Sequence, residues 1–325
     1  MRIVIDCDPG NGVPGANVDD GLALALAVAA HPELTLEAIT TVSGNTSSAL
    51  GFASAQTLIE NLGTEVPIYL GAERALVEPP ERWRTHLDRE DADATVAGTW
   101  GSTPRPRAAH DVPRTPAAQV LGELVRAHPG AITIVAIGPL TNLALATRLF
   151  PDFARNVARI IIMGGVFEVD GYPVDTNFGV DPDAAAIVLS SGAQITLVPM
   201  DATTTTLMTH PDLDRIEQLD TRLTRALVPT LRPWITYSAR TRGIGGMWIH
   251  DVVTVALLLD PGIVETRNLA ISVDLLPGTT RGRTVRWAPD ALPALGAAPA
   301  PIEVVTGIDN ARLLDLLTDT LAAHG

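Results

Sequence analysis

Short apolar runs alternate along the chain with helix-length stretches that carry one apolar face. The first of these predict a strand over Arg2 to Asp6, a helix over Asp19 to Ala30 and a strand over Leu36 to Val42. The same rhythm continues with a helix from Ser47 to Leu62, a strand from Val66 to Leu70, a helix from Ala117 to Ala127 and a strand from Ile132 to Ile137. A helix over Thr141 to Leu149, a strand over Ile160 to Met163, a helix over Asp181 to Ser190 and a strand over Ile195 to Met200 follow. Strands alternating with helices in this way imply an α/β fold, with a doubly wound, mostly parallel sheet flanked by helices. Beyond Asp201 the pattern is helical to about Ala239, then predicts a helix over Val252 to Leu258, strands over Leu269 to Leu275 and Ile302 to Val305, and a closing helix over Ala311 to Ala323. The stretch from Glu78 to Pro116 is rich in Pro, Arg, Asp and Thr and holds no sustained period, so it reads as a surface excursion from a single domain spanning 1–325.

Hydrophobic residues make up 46% of the chain against 18% charged, enough to fill a core and too little charge for a disordered chain. The net charge of −14 repels phosphate backbones and anionic lipid, which argues against nucleic acid and membrane partners. Every basic residue is Arg, and the absence of Lys excludes a lysine phosphate loop and Schiff-base chemistry. The lone Cys7 sits in an apolar run, excludes an internal disulfide and fits a reducing cytoplasm. Two acids within the first eight residues interrupt any signal-peptide apolar region, and no apolar run reaches membrane-spanning length.

Acids gather where strands hand over to helices. Asp6 and Asp8 end the first strand, on one side of it by alternation, and Asp19 and Asp20 open the next helix. Open α/β sheets bind ligands at that edge, and converging carboxylates repel one another unless a cation such as Ca²⁺ or Mg²⁺ neutralises them. The same acids also read as a helix cap and a strand-ending turn. His250 and Asp251 precede another apolar helix, where Asp251 reads equally as an N-cap. Asp175 and Asn177 lie one residue apart in a stretch that reads as extended, pointing both side chains toward a polyhydroxyl ligand, or else forming an Asx turn on their own backbone.

These residues together resemble the inosine-uridine nucleoside hydrolase family. Its opening pattern Asp-x-Asp-Pro-Gly-x-Asp-Asp is matched in two halves, Asp6 to Gly10 and Asp19-Asp20. The likeness includes TTVSGN ending at Asn45, IGPLTN, IIIMGG ending at Gly165, the DTN of Asp175 to Asn177, the HD of His250 and Asp251, and LPGTTRGRTV, in order along nearly the whole chain. The resemblance implies a Ca²⁺ ion held by Asp8, Asp20, Asp251 and the backbone carbonyl of Ile137, and a water-driven cleavage of the N-glycosidic bond of ribonucleosides through an oxocarbenium-like sugar. The calcium would orient the attacking water and lower its pKa, with Asp8 as general base. Asp19, Asn45, Asp175 and Asn177 would hold the ribose hydroxyls, His250 would assist the departing base, and Trp248 or the excursion would stack on it. Family likeness also implies a homodimer or homotetramer.

Three departures stand out. Eight residues, Asn11 to Val18, replace the single residue of the pattern, and their Gly and Pro content predicts a compact turn that bulges outward. Asp175 stands where many members carry Glu, and an Asn expected before it has no counterpart among Val169 to Val174. Three other functions compete with the hydrolase: a catalytically idle nucleoside- or ribose-binding protein, a hydrolase of an unusual N-glycoside, and a haloacid-dehalogenase-like phosphatase. The last needs a phosphate-holding cation, usually Lys, and leaves His250-Asp251 without a role.

Overall fold

Alternation in the first strand sorts its side chains between two apolar layers. In β1 (Arg2–Cys7), Ile3, Ile5 and Cys7 enter one layer and Val4 the other, each fully buried. A strand buried on both faces belongs in the middle of a parallel sheet. In the computed structural model, which describes residues 1–79, 83, 84, 87, 94–288 and 298–324, β1 does lie there. The remaining strands are β2 (Thr35–Thr41), β3 (Ile68–Leu70), β4 (Ile132–Ala136), β5 (Arg159–Met163), β6 (Ile195–Val198), β7 (Val264–Leu269), β8 (Ile271–Val273), β9 (Thr284–Arg286) and β10 (Ile302–Ile308). Eight form one sheet in the order β3-β2-β1-β4-β5-β6-β10-β7, parallel except for the edge strand β7, while β8 and β9 make a separate antiparallel ribbon.

Helices cover both faces. The helices Asp19–Ala29, Ser48–Leu62, Arg222–Arg242, Val252–Leu259 and Asn310–Ala323 share the layer of Ile3 and Ile5, and Ala117–Ala127, Thr141–Leu149 and Pro182–Leu189 share that of Val4. Asp19–Ala29 is buried along its whole length, because its DDGLALALAVA sequence is apolar on every side after the first turn. Ser48–Leu62 begins where the Ser47 hydroxyl accepts from the Leu50 N–H and ends at Gly63, whose φ of 77° suits a residue without Cβ.

Chain direction across the sheet reverses between β1 and β4. The first three strands step one way from β1 and the next three step the other way from β4. At such a switch the flanking loops part and leave a crevice beyond the carboxyl ends of the strands. Asp8 and Ile137 directly follow the two strands that border it.

Several expectations change. The excursion from Glu78 to Pro116 contains a helix, Ala94–Trp100, with Val96 and Trp100 buried four residues apart; seven residues are too few to show a period. Residues 80–82, 85, 86 and 88–93 of that excursion lie outside the described residues. The strand expected over Leu269 to Leu275 is split: β7 ends at Leu269, and Ile271–Val273 belongs to the ribbon. β7 escapes sequence reading because it is a polar edge strand, mostly exposed and, among the described residues, paired only with β10. Asp175 to Asn177 is not extended, since Asp175 caps the helix Thr176–Val180. Among the described residues, no helix is long and apolar enough to cross a membrane.

Candidate functional site

Four carboxylates meet at the switch point, three of them fixed by backbone N–H bonds. The Asp8 N–H donates to Asp20 Oδ1 at 2.9 Å, joining the end of β1 to the first turn of the following helix. From the loop after β2, the Asn45 N–H donates to Asp8 Oδ2 at 2.5 Å and its side-chain amide to Asp20 Oδ2 at 3.2 Å. From the far end of the chain, the Asp251 N–H donates to Asp19 Oδ2 at 3.0 Å. Asp19, Asp20 and Asp251, all buried, each offer an oxygen within 4.8 Å of the other two.

Burial of so much like charge raises every carboxyl. Desolvation pushes Asp8 up to about 7, against the pull of the Asn45 N–H; Asp19 also reaches about 7, by desolvation and then by repulsion from Asp20. Asp20 and Asp251 rise well above the usual carboxylate range for the same two reasons. Asp8 Oδ1 and Asp19 Oδ1 are buried without a hydrogen-bond partner among the described residues. All-oxygen, with two orphaned atoms and four carboxyls whose ionised forms burial disfavours until a cation is present, this donor set fits a hard divalent cation. Asp19 is part of the tightest oxygen group, although sequence reasoning assigns it to ribose.

The space around Asp8 is kept clear by glycine. A Cβ on Gly44 would stand 1.8 Å from Asp8 Oδ2, and one on Gly138 would stand 3.1 Å from Asp8 Oδ1. Asp6, on the same side of β1, accepts from Thr40 at 2.5 Å and from Asn142 at 2.8 Å, and burial lifts it to about 7. The same Asn142 amide donates to the Thr41 carbonyl, so Asp6 braces the sheet edge beneath the acids.

A cavity of about 690 Å³ opens over the cluster, lined among others by Asn45, Ile137, Asp175, Asn177, His250 and Asp251. The Asn177 amide donates to the Ile137 carbonyl at 3.0 Å and to the Met163 carbonyl at 3.1 Å. Both Asp175 oxygens accept backbone bonds, from Gly165 at 2.8 Å and Phe178 at 3.1 Å, and burial raises its carboxyl to about 6. Asp175 thus bonds nearby backbone, as the Asx alternative has it, at a position that still lines the cavity.

His250 is buried in the cavity wall with Nδ1 2.6 Å from the Thr203 hydroxyl. Burial, with help from the Arg242 charge, lowers its pKa to about 3, so the ring is neutral near pH 7. Trp248 does not line the cavity; it meets His250 edge-on at 5.6 Å and Tyr172 at 5.9 Å. Trp83, from the excursion that sequence reasoning offered to the base, lines the cavity, and the lining groups that sequence reasoning missed include Tyr172, Trp234, Tyr237 and Arg242. The one available signal was the three-residue spacing of Trp234 and Tyr237 on a helix face.

The segment Asn11 to Val18 is compact but does not bulge outward. The Gly10 N–H donates to the Asn17 carbonyl at 3.0 Å, closing the turn, and the buried Asn11 side-chain amide donates to Thr230 at 3.1 Å while the Asn11 backbone carbonyl accepts from Ser54 at 2.9 Å. These bonds draw the loop inward, and Gly15, Ala16 and Asn17 line the cavity.

A family model for inosine-uridine preferring nucleoside hydrolases matches residues 3–315. The pyrimidine-specific ribonucleoside hydrolase RihA of Shewanella sp. (strain ANA-3) is 30% identical over 330 residues, covering 99% of this chain and 96% of that protein. The inosine-uridine preferring nucleoside hydrolase of Crithidia fasciculata is 32% identical over 288 residues, 87% of each chain. Among solved structures, a plant nucleoside hydrolase superposes with a TM-score of 0.84 at 30% identity, covering 99% of this chain and 98% of that one. A purine-preferring ribonucleoside hydrolase from Gardnerella vaginalis does so with a TM-score of 0.83 at 27% identity, covering 100% and 99%.

Proposed function

This chain belongs to the inosine-uridine preferring nucleoside hydrolase family, glycosidases that hydrolyse ribonucleosides, and from that premise we propose that it is a calcium-dependent enzyme releasing free base and ribose at the cavity over Asp8, Asp19, Asp20 and Asp251. The observation that carries this reading is the set of four buried, mutually repelling carboxylates, two with orphaned oxygens, that meets through Asp251 a cavity large enough for a nucleoside.

Asp8, Asp20 and Asp251, with the Ile137 carbonyl, would hold the ion, and the proximity of Asp19 makes it a further candidate ligand. When bound, the cation supplies charge that lowers the pKa of the attacking water and orients the sugar hydroxyls. Asp8 takes the proton of that water. Its Oδ2 is tied to Asn45 and its Oδ1, without a partner among the described residues, is the oxygen left to accept. Asn45, Asp175 and Asn177 hold the ribose from the cavity wall, with Asp19 contributing where it does not ligate. Their bonds to Asp20, Gly165 and Ile137 fix their rotamers before the sugar arrives.

As the C1′–N bond breaks, charge builds on the base. His250, neutral and braced by Thr203, offers a hydrogen bond to it there. The reading extends to one catalytic domain over 1–325, a homodimer or homotetramer, and a cytoplasmic place consistent with the single buried Cys7.

Ribose release from a panel of purine, pyrimidine and nicotinamide ribosides, with calcium and then after exhaustive chelation, tests it. The expected result is release that chelation stops and calcium restores. Release indifferent to chelation would remove the metal from the reaction, and no release from a calcium-loaded protein would favour an idle nucleoside binder.

A further inference from the structure

The helix Arg222–Arg242 carries two aromatic rings into the cavity wall and is weakened just before them. Trp234 and Tyr237 stack with ring centroids 5.7 Å apart, and both line the cavity. Pro229 and Pro233 precede them inside the helix. Neither has an N–H, so the carbonyls of Arg225 and Pro229 lose their usual donor four residues on, and the turns that lead into Trp234 lack two rungs. Rings on a helix thinned in this way depend for their place on what packs behind them. Behind them is Trp100, the last residue of the helix Ala94–Trp100, which is 1% exposed and does not line the cavity. Its ring meets Tyr237 at 5.1 Å and Trp234 at 6.4 Å, edge to face at 66° and 60°, so each of the three rings meets the other two. The Trp100 indole N–H is buried without a hydrogen-bond partner among the described residues. An unpaired donor is unfavourable there, so what Trp100 contributes is the width of its ring and not a polar bond. Elsewhere the same two segments part around a cleft of about 610 Å³, lined by Gly98 and Ser102 on one side and by Val228 and Pro233 on the other. That cleft leaves the helix room to shift when the ring behind it is smaller.

We propose that Trp100 is a positioning residue that sets base preference: by holding Trp234 and Tyr237 forward, it fixes the width of the cavity where the heteroaromatic base lies. This rests on the hydrolase reading. Arg242 lies over the Trp234 ring at 5.1 Å and over the Trp248 ring at 5.7 Å, and Trp248 meets His250, so the ring pair and the imidazole that faces the base belong to one wall. Asn45, Asp175 and Asn177, which the ribose meets, are set by bonds to Asp20, Gly165 and Ile137 on other elements. A change at Trp100 therefore reaches the base and leaves the sugar in place. A one-ring base spans less of the gap than a two-ring base, so when the wall falls back the pyrimidine loses its ring contact first.

The test measures kcat and KM for uridine and inosine, and the inhibition constant of free ribose, which carries no base, in the calcium-loaded full chain. Trp100→Leu should raise KM for uridine roughly 3- to 10-fold and KM for inosine by less than about 2-fold, with both kcat values and the ribose constant little changed. Trp100→Phe, which keeps a narrower aromatic ring, should give a smaller shift of the same selective kind, and it carries the test if the Leu variant does not fold. Equal rises in KM for both nucleosides, or a matching rise in the ribose constant, would overturn the proposal and leave Trp100 as core filling alone. No change in any of the three would overturn it as well. A calcium-loaded wild type that cleaves neither nucleoside would bring down the hydrolase reading, and the same uridine-to-inosine ratio, measured as dissociation constants by calorimetry, would then decide the proposal. Binding of neither nucleoside would overturn both.

Discussion

The backbone N–H of Asp251 donates to the carboxylate of Asp19 at 3.0 Å, joining residues 232 positions apart. The bond sits where the helices Asp19–Ala29 and Val252–Leu259 both begin, so one contact sets the register of two helix starts and of the acids they carry.

Asp19→Asn keeps the shape of that contact while removing one of the buried charges. At pH 8 the metal-free variant should be more stable than the wild type, with a gain on the order of 2–4 kcal/mol from a carboxylate no longer ionised in a buried site. Calcium should stabilise the variant less than the wild type. Thermal melts with and without calcium check both signs, and a variant destabilised without calcium would show that the Asp19 charge is compensated in the metal-free fold.

The raised carboxyls also set a pH dependence. Asp6, Asp8 and Asp19 move from 3.8 to about 7 on folding, so their contribution to stability is fully present below about 3.8 and is lost as pH rises through about 7. His250, lowered from 6.5 to about 3, works the other way: its contribution is present above 6.5 and is lost as pH falls through about 3. Three carboxyls, with Asp20 and Asp251 raised as well, outweigh one imidazole. The metal-free protein should therefore melt at a lower temperature at pH 8 than at pH 5.5. Calcium binding displaces protons from these groups, so the stabilisation it confers should grow over the same interval.

Gly44→Ala places a methyl group where the Asp8 carboxylate stands. A displacement of about 1 Å in a reacting group costs on the order of 100-fold in rate. Ribose release should fall by roughly that factor while far-ultraviolet circular dichroism stays that of the wild type. Unchanged turnover would mean that Asp8 is not the base.

Replacing Asn11 to Val18 with a single residue removes Gly15, Ala16 and Asn17 from the cavity wall and the Asn11 bonds to Thr230 and Ser54. The ratio of kcat/KM values across purine and pyrimidine ribosides should change, and about 1–3 kcal/mol of stability should be lost with the buried hydrogen bonds. Calcium stoichiometry measured after dialysis should stay at one per chain. Loss of the metal would show that the loop helps to assemble its ligands.

The gathering of Asp8, Asp19, Asp20 and Asp251 was legible because each stands at a boundary between an apolar run and its neighbour, where both helix capping and ligand binding place acids. Which of them stand closest together was not legible. That follows from the packing of the helix Val252–Leu259 against Asp19–Ala29, which puts Asp19 with Asp20 and Asp251 in the tightest oxygen group.

What the sequence determined by itself is local. Apolar runs buried on both sides specify central strands, the all-round apolar stretch after Asp20 specifies an internal helix, and the order of motifs specifies the family. The tertiary structure decided what depends on distance in space: the inward set of the Asn11 to Val18 loop, the edge-on contact of Trp248 with His250, and the place of Trp234, Tyr237 and Arg242 in the cavity wall with Asp251. The physical reason is that periodicity records which face of an element avoids water. A cavity wall is assembled from elements far apart in the chain, and its aromatic and basic residues keep the same helical period whether they face a ligand or the core.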